Sequence, residues 1–121
     1  MIITDIKSVD EFHKLLEKNN GLFIVKFGAV WCSPCKVIEK DVNTFFASAP
    51  PNVTCAIIDV DKSPSLYGFL KSKKMVNGVP AILCYHKGNC KYVPDDFTIG
   101  SDKTQLYAFF DRCRKQATEY L

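Results

Sequence analysis

The stretch Leu22-Phe23-Ile24-Val25-Lys26-Phe27, followed shortly by Trp31-Cys32-Ser33-Pro34-Cys35-Lys36, constrains this chain more than any other. Its first part is rich in β-branched and aromatic residues and reads as a central strand buried on both faces. Downstream, Val37, Ile38, Val42, Phe45 and Phe46 recur at helical spacing. The two cysteines therefore sit where a strand delivers the chain into a helix, a unit of the α/β class.

That position has chemical consequences. The first turn of a helix points unpaired N–H groups and a positive dipole end at whatever side chain lies there, so a thiolate at Cys32 is stabilised. Pro34 suits the first turn because it lacks an N–H and its φ is already helical. Cys35 lies one turn further in, and two intervening residues let the sulfurs alternate between a dithiol and a small-ring disulfide. A permanent disulfide or half of a zinc site are the other readings. Zinc needs two more ligands at suitable spacing, and neither a second Cys-x-x-Cys nor a nearby His pair is present.

The remaining elements follow from pattern. Ile2 to Ile6 alternates like a short edge strand, and Ser8-Val9-Asp10-Glu11 is a capping box for a helix with Phe12, Leu15 and Leu16 on its apolar face. Asn19-Asn20-Gly21 ends that helix, and Ala49-Pro50-Pro51-Asn52 ends the one carrying the cysteines. Val53 to Val60 reads as a buried parallel strand, and Ser63-Pro64 opens a short helix with Leu66, Phe69 and Leu70. Ala81 to Tyr85 and Cys90 to Val93 read as a hairpin turning at Lys87-Gly88. A final helix from Ser101-Asp102 carries Leu106, Phe109, Phe110 and Cys113 on one face. The expected order is β-α-β-α-β-α-β-β-α, a single domain spanning residues 1–121, long enough at 47% hydrophobic residues to bury one core.

Trp-Cys-x-Pro-Cys-Lys after an apolar strand resembles the thioredoxin family. Ile57-Ile58-Asp59-Val60-Asp61 resembles its third strand, Gly78-Val79-Pro80-Ala81 its cis-proline loop, and Tyr85-His86-Lys87-Gly88 the following hairpin. The resemblance implies a thioredoxin fold, a central mixed sheet flanked by helices. It implies that Cys32 attacks a substrate disulfide and that Cys35 resolves the mixed disulfide. It further implies that Pro80 is cis against the sulfurs, leaving the Val79 backbone free for an extended substrate. Gly100, before the last helix, reads as completing the groove or simply as making a turn. Trp31 reads as a flat apolar wall beside the thiol or as a core residue.

The chain departs from the family pattern at several positions. Lys26 stands where a buried aspartate is typical, and Ile57 replaces the lysine that usually pairs with it. A protonated Lys26 lowers the thiol pKa values, a neutral one can act as a base, and a third reading sends its ammonium to solvent. Gly28 replaces an aromatic residue and opens space near the site, Ser33 replaces a glycine, and Lys40 replaces a helix-kinking proline. Val93 to Ile99 is longer than the usual link to the last helix, an expected surface loop.

Cys55 and Cys84 fall inside strands and read as core thiols, Cys113 lies on the last helix and Cys90 beside the hairpin turn. No signal-peptide pattern or long apolar run appears, so a cytoplasmic, non-membrane protein is expected, as a monomer. The formal charge of +3 is scattered, with Lys71-Ser72-Lys73-Lys74 as a solvated helix end, which offers nothing to nucleic acid. The expected function is reduction of disulfide-containing substrate proteins in cell redox homeostasis. No cofactor or metal is bound, and NADPH contributes indirectly through a thioredoxin-reductase-like flavoprotein. The alternatives are a specialised disulfide-forming or isomerising oxidoreductase and a redox-inactive binding or accessory subunit.

Overall fold

A computed structural model describes residues 2–121. Its elements run β1 (Ile2–Ile3), α1 (Val9–Lys18), β2 (Leu22–Gly28), α2 (Ser33–Ala47), β3 (Val53–Asp59), α3 (Pro64–Ser72), β4 (Ala81–His86), β5 (Asp96–Ile99) and α4 (Lys103–Glu119). This is the expected order, a mixed five-stranded sheet arranged β1-β3-β2-β4-β5. Strand β2 lies at the centre, parallel to β3 and antiparallel to β4, which is why its side chains are buried on both faces.

Alternation along β2 divides the interior in two. Phe23, Val25 and Phe27 join Phe12, Leu16, Leu66, Leu70 and Tyr85 on the face covered by α1 and α3. Leu22 and Ile24 join Ile38, Val42, Phe45, Leu106 and Phe109 on the face covered by α2 and α4. A period of two in the strand and of 3.6 in the helices puts both apolar sets against the sheet.

The helix start is capped with a shift of one residue: the Glu11 N–H donates to Ser8 Oγ at 3.1 Å, and the Glu11 carboxylate accepts from the N–H of Lys7, just before the N-cap, at 3.1 Å. Gly21 does more than end α1. A Cβ there would overlap the Asn52 carbonyl oxygen and lie 2.9 Å from the Asn52 side chain. That carbonyl already accepts from Leu22 N–H at 3.1 Å, so it has nowhere to go. Gly21→Ala is expected to cost about 1–3 kcal/mol in urea unfolding, and a cost near zero would show that the β3 entrance adapts freely.

Two expectations need correction. Strand β1 covers only Ile2–Ile3, because Ile6 is drawn instead into the core beside α1. The strand paired with β4 is Asp96–Ile99 rather than Cys90–Val93, with Cys84 opposite Asp96 and Ala81 opposite Ile99. The extra length therefore lies between β4 and β5, and the link from β5 to α4 is short. The reason is twofold. Tyr92 is pulled inward, stacking on Phe12 and lying edge-on to Phe69, while its carbonyl accepts from Tyr85 Oη at 2.8 Å. Asp95 accepts from the His86 N–H and the Asn89 amide, which holds the connection as a loop. Strand β5 is also patterned in reverse, with Thr98 buried and Phe97 and Ile99 exposed, so apolar alternation pointed elsewhere.

Cys55, Cys84 and Cys113 are buried free thiols and Cys90 is exposed. Burial pushes the Cys55 thiol from 9.0 up to about 12. A hydrogen bond with Cys113, then burial, raises Cys84, and burial raises Tyr85. The unfolded chain releases these protons first, so their contribution to stability is whole below pH 9.0 for the two thiols and below 10.0 for Tyr85, and is lost as pH rises above those values. Lys26, lowered by burial, acts oppositely on approach to 10.5, one group against three. Urea unfolding is expected to show a net loss of about 1 kcal/mol between about pH 9 and 10, and a rise there would contradict the burial of the thiols.

Candidate active site

Strand β2 ends at Gly28, and four residues later the chain enters α2 with Cys32 as its N-cap. The Cys35 N–H donates to Cys32 Sγ at 3.2 Å, so the sulfur takes the place an oxygen usually holds at a helix start. Cys32 and Cys35 are joined as a disulfide, with Cα atoms 5.3 Å apart. Both are largely buried beneath the exposed Ser33 and Pro34. Pro34 lies in the first turn as expected, and α2 runs unbroken past Lys40.

Trp31 is 67% exposed, which excludes the core reading. Its indole N–H donates to Asp61 Oδ2 at 2.8 Å, and the Asp61 N–H in turn donates to Asp59 Oδ1 at 2.9 Å. Held at its polar end, the indole leaves an exposed apolar ring one residue before Cys32 in the chain. The sequence reading passed over Asp61; the signal for it is the parallel pairing of β2 and β3, which ends both strands beside each other, Gly28 opposite Asp59.

The Val79–Pro80 peptide bond is cis. Pro80 precedes β4, and because Phe27 pairs with Ala81, the Val79–Pro80 segment lies at the same end of the sheet as the loop that carries the cysteines. The Gly100 N–H donates to the Pro80 carbonyl at 3.0 Å, and Gly100 has φ +83°, a conformation that glycine adopts without strain. The structure thus brings Val79, Pro80 and Gly100 together along one edge.

Lys26, Gly28, Ile57 and Asp59 share one face of the sheet by register, beneath α2. Lys26 is only 5% exposed, so its stem is packed along most of its length. Burial lowers its pKa below 10.5, and the charge of Glu39 partly restores it. A Cβ built at Gly28 would lie 3.5 Å from Cys35 Sγ and 3.7 Å from Lys26 Cε, which places the lysine stem and the inner sulfur on either side of one small gap. Glu39, also passed over in the sequence, lies four residues after Cys35 and so on the same helix face.

Among the described residues no group of three or more His, Cys, Asp or Glu is arranged to hold a metal ion, and no helix is long and apolar enough to cross a membrane.

The family model described as Thioredoxin matches residues 4–112. A thioredoxin of Mycoplasma pneumoniae is 30% identical over 91 residues, covering 75% of this chain and 83% of the relative. The mitochondrial thioredoxin-3 of Saccharomyces cerevisiae is 36% identical over 64 residues, 53% of this chain and 49% of the relative, so that match spans about half the yeast protein. Among solved structures, Trichomonas vaginalis thioredoxin superposes with a TM-score of 0.72 at 23% identity, covering 92% of this chain and 96% of that one, a likeness of fold.

Proposed function

Because the chain belongs to the thioredoxin family and carries a joined Cys-x-x-Cys pair, it is a thiol-disulfide oxidoreductase, and we propose that it works as a reductase of protein disulfides. The observation that carries this reading is the Cys32–Cys35 disulfide at the leading end of α2, with Cys32 Sγ accepting the Cys35 N–H. A sulfur held there is better stabilised as an anion than a thiol in a strand, and the thiolate is the nucleophile.

In the reduced protein, the Cys32 thiolate attacks one sulfur of the substrate disulfide, and the other sulfur leaves as a thiolate that takes up a proton. Cys35 then loses its proton and attacks Cys32 Sγ, breaking the mixed disulfide and releasing the second substrate thiol. Two electrons have passed to the substrate, and the protein is left with the disulfide seen in the structure. A protonated Lys26 behind Cys35 favours loss of that proton. The edge formed by Val79, Pro80 and Gly100, with the exposed Trp31, supports docking of an extended substrate segment.

On this reading the disulfide is returned to the dithiol by a thioredoxin-reductase-like flavoprotein drawing on NADPH. The same reading assigns a part in cell redox homeostasis, with no bound cofactor and a monomeric state. The four free cysteines support a reducing compartment such as the cytoplasm. A joined redox pair favours turnover over a docking-only role.

The test is reduction of insulin with dithiothreitol as the electron source. Catalytic amounts of the protein are expected to speed precipitation of the released B chain well beyond dithiothreitol alone, and Cys32→Ser to return it to that background. A wild-type rate equal to background would overturn the assignment.

A further inference from the structure

Behind Cys35, on the side away from Val79 and Pro80, a cleft of about 420 Å³ opens between β2, β3 and α2. Its walls include Lys26, Lys36 and Lys62, faced by Glu39 and Asp59, and it reaches Cys35. The volume falls within the range of small-ligand pockets, about 300–1,000 Å³. The cleft extends to the sulfur because residue 28 has no side chain, since even one Cβ there would touch both Cys35 and Lys26.

The electrostatics of this cleft are unbalanced. Lys26 is 95% removed from solvent, yet among the described residues its ammonium has no hydrogen-bond or ion-pair partner. Glu39 reaches it only as a more distant charge, and Asp59, one oxygen of which accepts the Asp61 N–H, forms no ion pair with it. Lys26 lines the cleft and its ammonium is not wholly enclosed, so a partly desolvated, unpaired cation meets the opening and can donate a charge-assisted hydrogen bond to an entering anion. Three lysines against two carboxylates leave the balance positive.

We propose that this cleft binds a small anion, a carboxylate or phosphate group, seated on the Lys26 ammonium with Lys36 and Lys62 at its walls. Given the redox reading of Cys32 and Cys35, an anion there also withdraws the positive charge from behind Cys35 and slows its deprotonation. The site thereby couples the resolving step to the concentration of small acidic metabolites or free phosphate.

Binding is measured on the oxidised protein, where no turnover occurs, so its outcome does not depend on whether the protein reduces disulfides. Backbone amide shifts are followed by NMR as inorganic phosphate or, in a second arm, succinate replaces chloride at constant ionic strength. Saturable shifts are expected at Lys26, Gly28 and Lys36 in at least one arm, which names the preferred chemistry. Lys26→Met is expected to weaken binding at least about tenfold while Lys26→Arg keeps it. Gly28→Val, which fills the gap, abolishes it, and Lys73→Met on α3 changes nothing. Failure of both anions to saturate the wild type overturns the proposal, as does equal binding by Lys26→Met and Lys73→Met in proteins with native amide spectra.

Discussion

Cys35→Ser is expected to stop the reaction halfway, leaving Cys32 covalently bound to a substrate protein. The argument follows from the placement of the two sulfurs. Cys32 caps α2 and keeps the Cys35 N–H as its hydrogen-bond donor whatever side chain residue 35 carries, so the first attack survives the substitution. The second attack needs a thiolate 5.3 Å away between Cα atoms, and a serine hydroxyl has neither the acidity nor the nucleophilicity to replace it. Turnover on insulin should fall at least about 100-fold, since removing one member of a unit that acts together removes the function of the unit. Non-reducing electrophoresis should show a conjugate that dithiothreitol dissolves. If Cys35→Ser turned over at the wild-type rate, Cys35 would not be the resolving residue.

The second large effect is on stability and lies on the opposite face of the sheet. Phe12, fully buried on α1, has Phe23, Tyr85 and Tyr92 at ring-centroid distances of 5.7, 5.5 and 6.2 Å. Phe12→Ala leaves a cavity that three aromatic rings held by the sheet and the β4–β5 loop cannot collapse to fill. The expected cost is about 3–5 kcal/mol, a large part of the roughly 5–15 kcal/mol available to a domain. At roughly 4 °C per kcal/mol for a chain of this size, the melting temperature should drop by about 15 °C. Because Tyr92 anchors the loop between β4 and β5, exchange protection of the Asn89 to Asp95 amides should fall with it. The cysteines lie on the other layer, so disulfide reduction at low temperature should persist. A cost under about 1 kcal/mol would mean that the cluster repacks.

Much of the active site was legible because its logic is local. A strand, a short loop, a Cys-Ser-Pro-Cys turn and an amphipathic helix occupy 26 consecutive positions, and the position of a sulfur at a helix start depends on little else. The cap at Ser8 and Glu11 was legible for the same reason. Strand β5 was not. Its inward residue is Thr98 and its outward residues are Phe97 and Ile99, so its pairing is set by Asp95, Asn89 and the inward pull on Tyr92 rather than by its own apolar rhythm.

The amino-acid order by itself determined the α/β class, the order of elements and the placement of Cys32 and Cys35 at a helix start, since each rests on periodicity, capping or a spacing of three. Only the tertiary structure decided the burial of Lys26, the bond from Trp31 to Asp61, and the cleft that Gly28 leaves open. Those features join residues from different strands and helices, and burial, which sets their charge and reach, is a property of the whole packed chain rather than of any segment in it.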